Sequence, residues 1–239
     1  NKGTRMISKA RVALSALFVA GGLASQSASA IPYTVTAWAP AGGAAVSISK
    51  TDSPTKNYNG SGGGFIMTNK TPGSVESFIS WCVDIFQFIP GATAGEYTPD
   101  LGGMTLSSGV RTDLGRLATL ALAAATTPSA SNNSAAFQLA VWEIFYEHGT
   151  GGFNLGAGTF RSNSAASSPH TIAQGWLNTL NTNTNLVSTY SMNVYSSAGH
   201  QDQVTFKKVP EPTALGLLAL GLIGIGFARR KAAKAALQA

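Results

Sequence analysis

The strongest constraint on this chain is where its apolar runs fall, one near each end and each beside a basic cluster. Residues 12–23 follow Lys9 and Arg11, and residues 213–228 precede Arg229, Arg230 and Lys231. That leaves residues 31–208 to fold in water, a length ample for one hydrophobic core and short for two. Charge follows the same division. Of the 16 Lys and Arg residues, four lie in 1–30, four in 229–239 and eight in the middle, where nine acidic residues outnumber them. The pI near 9.6 therefore belongs to the ends, and a phosphate-binding surface is excluded, so no nucleic-acid partner is expected. A single cysteine excludes an internal disulfide and any multi-Cys metal site, and no other metal constellation appears. A charged fraction of 11% with 27 glycines suits an exported, loop-rich β protein better than a cytosolic enzyme.

The two ends read as addresses. Met6 to Arg11 is a short basic start, residues 1–5 precede this plausible initiator, and Ala28-Ser29-Ala30 closes the apolar run with small residues. This is the layout of a secretory signal cut by signal peptidase after Ala30, with Ile31 as the mature start. At the other end, Pro210-Glu211-Pro212 is followed by sixteen apolar or small residues and then by Arg229 and Arg230. As a helix those sixteen residues span about 24 Å, a little short for a bilayer core of ~30 Å. A basic cluster after the span holds that end in the cytoplasm, so the segment reads as an inner-membrane anchor. The order Pro-Glu-Pro, hydrophobic helix, Arg cluster over 209–231 resembles the PEP-CTERM sorting tail of Gram-negative bacteria. The resemblance implies an exosortase-type peptidase as partner, transient residence of 213–228 in the inner membrane, and delivery to the cell surface or extracellular matrix.

The middle is expected to be one α+β domain, a sandwich-like or barrel-like β-sheet core with an insertion of two to three helices. Residues 31–70 alternate short apolar stretches with Gly, Pro and Asn, as strands and turns do. Residues 78–89 form the clearest strand, with Ile79, Trp81, Val83 and Ile85 on one face and Ser80, Cys82 and Asp84 on the other. Residues 111–125 and 135–147 have helical spacing, the second with Asn133-Ser134 as its N-cap. A strand over 153–160, a helix over 172–180 and strands near Val194 and over 204–206 complete the expectation.

Cys82 and Gln138 carry the chemistry. A lone thiol in an exported chain is either an inert core residue or chemically used, and the strand period places Cys82 on the more polar face. Gln138 stands among bulky apolar residues on a helix, where its amide must find a hydrogen-bond partner, an ordinary backbone group included, or be consumed. Trp81-Cys82-Val83-Asp84, followed 56 residues after the cysteine by Gln138-Leu139-Ala140-Val141-Trp142, resembles the thioester domains of bacterial surface adhesins. The resemblance covers roughly residues 60–160. It implies attack of the Cys82 thiol on the Gln138 carboxamide, loss of ammonia, and an internal thioester that bonds a surface nucleophile. Phe137 stands where that family usually has Thr. Trp81, Phe137, Trp142 and Tyr146 are candidates to keep water from the bond, with Asp84 close by.

Two other classes compete. A non-covalent protein of biofilm or extracellular polysaccharide needs only the sorting tail, a β-rich body and a reduced Cys82. A cysteine hydrolase would pair Cys82 with His148, His170 or His200, none of which sits in a hydrolase motif. Glu143 reads as a solvated helix residue, and no cofactor is implied.

Overall fold

The computed structural model describes residues 32–87, 89, 94–99 and 106–209, together with Leu222, Ile223 and Ile225. The expected cleavage residues Ala28 and Ala30, and the tail residues Pro210, Glu211, Pro212, Arg229 and Arg230, lie outside them. Among the described residues no helix is long and apolar enough to cross a membrane.

The chain begins with a long antiparallel hairpin of β1 (Tyr33–Lys50) and β2 (Lys56–Asn69), interrupted by register shifts between Val35 and Ala37 and between Trp38 and Gly43. Of the turns expected within residues 31–70, one is the connection over 51–55, and the others are bulges absorbed into one strand pair. Next come β3 (Ser77–Cys82), β4 (Ala94–Pro99), the helices α1 (Ser108–Thr126) and α2 (Ser131–Glu147), β5 (Phe160–Ser162), α3 (Ser168–Thr182), β6 (Tyr190–Ser196) and β7 (Gln203–Lys208). The sheet runs β2-β3-β7-β6-β4-β1-β5, and β1 also pairs with β2, so six antiparallel strands close a circuit and β5 hangs on β1. The expected α+β class is observed, with the helical insertion placed between β4 and β6.

Two apolar clusters hold this arrangement. Tyr33, Val35, Met67, Tyr97 and Tyr195 form a small one drawn entirely from strands. The larger one joins Val46, Ile48, Trp81 and Val204 of the sheet to Leu114, Leu117, Phe137, Ile144 and Leu177 of the helices. α2 lies at its centre, with 12 of its 17 residues buried, so any polar side chain it carries must be answered by protein groups.

Four local expectations are corrected. The strand expected over 78–89 ends at Cys82, because the Asp84 carboxylate accepts from the amides of Phe86 (3.0 Å) and Gln87 (3.3 Å) and turns the chain. The strand expected over 153–160 is a loop as far as Thr159, since its amides bond to side chains instead of to a neighbouring strand. Asn181 takes Phe153 N–H, Glu143 takes Asn154 N–H and Gln174 takes Leu155 N–H. α2 starts at Ser131 without a side-chain cap, and Ser134 lies inside it. Glu143 is fully buried, because α2 has no solvent face at that position.

Candidate functional site

The site arises where two strands part. The β2–β3 ladder runs from Thr68 opposite Ser77 to Phe65 opposite Ser80 and stops there, two residues short of Cys82. On the other side of β3 the pairing with β7 continues, setting Gln203 opposite Cys82. The main chain of Cys82 is therefore left without a strand on its β2 side, and α2 supplies the missing partner. Cys82 N–H donates to Gln138 Oε1 at 3.0 Å, and Gln138 Nε2 donates to Cys82 O at 2.7 Å. The carboxamide thus occupies the place of a strand residue. One turn earlier on the same helix stripe, Ser134 Oγ accepts from Gly64 N–H at 2.9 Å, closing the same gap from the β2 side.

Glycine makes this approach possible. A Cβ at Gly64 would lie 3.0 Å from Ile79 and 3.2 Å from Trp81, and one at Gly62 would lie 3.2 Å from Val46 and 3.5 Å from Gln138 Cγ. Side chains there would press on β3 and β1, while a Cβ at Gly63, whose φ is +154°, would lie 3.0 Å from Ser134 Oγ of α2.

Both faces of β3 are buried at this point, which corrects the expectation of a merely polar face. Ser80 and Gln203 are completely buried and Cys82 nearly so. Ser80 Oγ donates to Gln203 Oε1 at 2.9 Å, and Gln203 Nε2 donates to Cys82 Sγ at 3.1 Å and to Gln201 O at 3.1 Å. Burial pushes the Cys82 thiol up to about 12, an effect the Gln203 donor opposes and the Asp84 charge reinforces. As a free thiol, Cys82 is un-ionised at neutral pH.

Cys82 and Gln138 both line a cavity of about 290 Å³, walled by Trp38, Tyr58, Phe65 and Trp142. Trp38 stacks on Phe65 at 4.4 Å and is 41% exposed, and Tyr58 meets Trp142 edge-on at 6.5 Å. Among the described residues no charged one lines this space.

The other anticipated neighbours divide by position. Trp142 faces the cavity, and its indole N–H has no acceptor among the described residues. Trp81 and Phe137 pack on each other at 4.7 Å and on Phe206, and neither lines the cavity. Tyr146 Oη accepts from Ile85 N–H at 3.1 Å and fixes the chain just past the cysteine. Asp84 accepts from Asp202 N–H at 2.8 Å through its second oxygen, tying the turn after β3 to the approach of β7. None of the three histidines lines the cavity. His148 pairs with Asp113 at 3.1 Å, His200 meets Ser197 at 3.3 Å, and His170 is buried near the start of α3. Gln203, Tyr58 and the Gly62–Gly64 approach were not anticipated. The signal for Gln203 was the alternation of Gln203 and Thr205 with Val204 and Phe206, a strand whose polar face is also internal.

The comparisons address the tail. A family profile described as the PEP-CTERM protein-sorting motif matches residues 208–231. The chain thus carries an exosortase sorting signal, which marks it as an exported protein held transiently at the membrane and processed there. No curated relative and no solved structure matches the chain.

Proposed function

We propose that residues 31–208 act as a single-use covalent adhesion module, in which Cys82 and Gln138 join as an internal thioester that surface nucleophiles open. The observation that carries this reading is the seating of the Gln138 carboxamide on the main chain of Cys82, with both groups lining one cavity. Cys82 N–H already donates to the oxygen that becomes an oxyanion when sulfur attacks the amide carbon. The thiol proton goes to the departing nitrogen, the C–N bond breaks, and thioester and ammonia result. A hydroxyl or amine entering past Trp38 and Tyr58 would then take the acyl group and return its own proton to Cys82. Nothing turns over, so the module is not an enzyme beyond forming its own bond.

The mass of the intact, folded, exported protein tests this. A thioester lowers it by one ammonia, ~17 Da, and methylamine then adds at Gln138 and frees one thiol. Cys82→Ala and Gln138→Ala each restore the mass expected from sequence. A wild-type protein of full mass, with one thiol that is alkylated after unfolding, sinks the proposal. A second reading then takes its place, a non-covalent matrix protein of biofilm or extracellular polysaccharide. It is favoured by one feature, that both polar atoms of the Gln138 amide are already satisfied by Cys82 and can serve as a purely structural bridge.

A further inference from the structure

A second cavity, about 650 Å³, opens at the other end of α2, between that helix, α3 and the glycine-rich segment 150–158. Glu143 and Glu147, one turn apart on α2, line it together with the amides of Asn154, Gln174, Asn178 and Asn181. Among the described residues no Lys, Arg or His does so.

The two carboxylates are treated differently. Glu147 Oε1 accepts from Thr159 N–H, Thr159 Oγ and Phe160 N–H at 2.6–2.7 Å, and Oε2 accepts from Thr150 Oγ at 3.2 Å. Glu143 Oε1 accepts from Asn154 N–H at 2.6 Å, but Oε2 is buried with no partner among the described residues, in a residue whose exposure is 0%. Burial pushes this carboxyl up to about 7. Neither form is complete. The carboxylate leaves a buried acceptor unanswered beside a second negative charge, and the acid leaves a buried donor unanswered.

We propose that Glu143 is the anchoring ligand of a calcium-class cation site in this cavity, where the ion pins the segment 150–158 to α2 and α3. The donor set selects the ion. Apart from the two glutamates the lining offers amide, hydroxyl and main-chain oxygens, and the amide oxygens of Asn154, Gln174, Asn178 and Asn181 each accept one hydrogen bond and keep a second lone pair. Neutral oxygens around one anchoring carboxylate suit a hard ion that tolerates irregular geometry, which is calcium rather than zinc or magnesium. So few charges place the affinity in the range of extracellular modules, with Kd about 10⁻⁴–10⁻³ M. An exported protein meets such calcium concentrations. The held segment has reason to need it, since the amides of Phe153, Asn154 and Leu155 rest only on side chains of α2 and α3.

Thermal unfolding of the full chain in EDTA and in calcium, at matched ionic strength, is the test. Calcium should raise the midpoint by about 3–6 °C at tenfold excess over Kd, and magnesium by less. Glu143→Gln, similar in size and uncharged, should fold in EDTA and lose the calcium shift. Terbium luminescence on the unheated wild-type protein, displaced by calcium, gives an independent readout if that variant does not fold, and Asn178→Ala should weaken the terbium signal. A wild-type midpoint unmoved by about 10 mM calcium, well above such a Kd, overturns the proposal. So does a full shift retained by Glu143→Gln, or stabilisation by acid alone.

Discussion

The two halves of α2 answer the same demand in opposite ways. In the N-terminal half, Ser134 and Gln138 face the sheet, and every polar atom of both side chains is bonded to the main chain that β2 and β3 leave open where they part. In the C-terminal half, Glu147 is satisfied by the loop that follows, whereas Glu143 is satisfied at one oxygen only. Strand edges offer fixed pairs of donors and acceptors, which match an amide at both of its atoms. A loop wrapped over a carboxylate offers donors alone, and their number depends on how the loop is held. A helix buried on nearly every side can therefore carry reactive or unpaired groups without losing its place, provided that other polar residues on the same helix are answered in full.

Removing Glu147 should break the comparison most severely. Glu147→Ala strands three donors at Thr159 and Phe160 and should cost about 3–5 kcal/mol in urea unfolding. The pH dependence has a definite sign. Burial works against the Glu147 charge, but the Thr159 and Phe160 donors outweigh it and hold the carboxyl below its ordinary 4.5. Its contribution is present above that value and is lost as pH falls beneath it, and the variant should lack this loss. Gln203→Leu comes next, at about 1–3 kcal/mol, because Ser80 loses its acceptor and the thiol its donor. It also removes an influence that lowers the thiol, so the loss of ammonia that the proposed thioester requires should be slower in refolded variant than in refolded wild type. The smallest effect is expected from Ser134→Ala, about 1–2 kcal/mol, read as faster hydrogen exchange at the Gly64 amide. An unchanged rate there would mean that the gap between β2 and β3 does not need the helix to close it.

How far the sequence revealed the site depended on separation along the chain. Cys82 stood out as the lone thiol, set by the strand period on a polar face, and Gln138 as an amide among the apolar residues of a helix. Gln203 broke none, and its role depends on β7 pairing with β3, 121 residues apart. That pairing follows from the closed circuit, which no window of sequence contains. Glu143 was misread for a related reason. Its neighbours Trp142 and Ile144 suggested an amphipathic helix, but α3 and the following loop bury the face that solvent would otherwise cover. The segment 153–160 has strand-like composition, yet Asn and Gln side chains outcompete a ladder for its amides. The α+β class was legible because alternating strands and two long helical patterns occupy separate stretches of chain.

The sorting motif begins at residue 208, where β7 ends, so the tail leaves directly from the strand that lies between β3 and β6. A pull on the tail enters the fold along β7, where Phe206–Lys208 pair with β6 alone and Gln203–Thr205 pair with both β6 and β3. Their hydrogen bonds lie across the pull and are loaded in parallel, in shear, instead of opening one after another. β6 takes that load first, and β3, which carries Cys82, shares it from Thr205 inward. Tension applied through the tail would thus reach the β3–β7 pair that includes Cys82 along the length of β7, with its ladder loaded in shear.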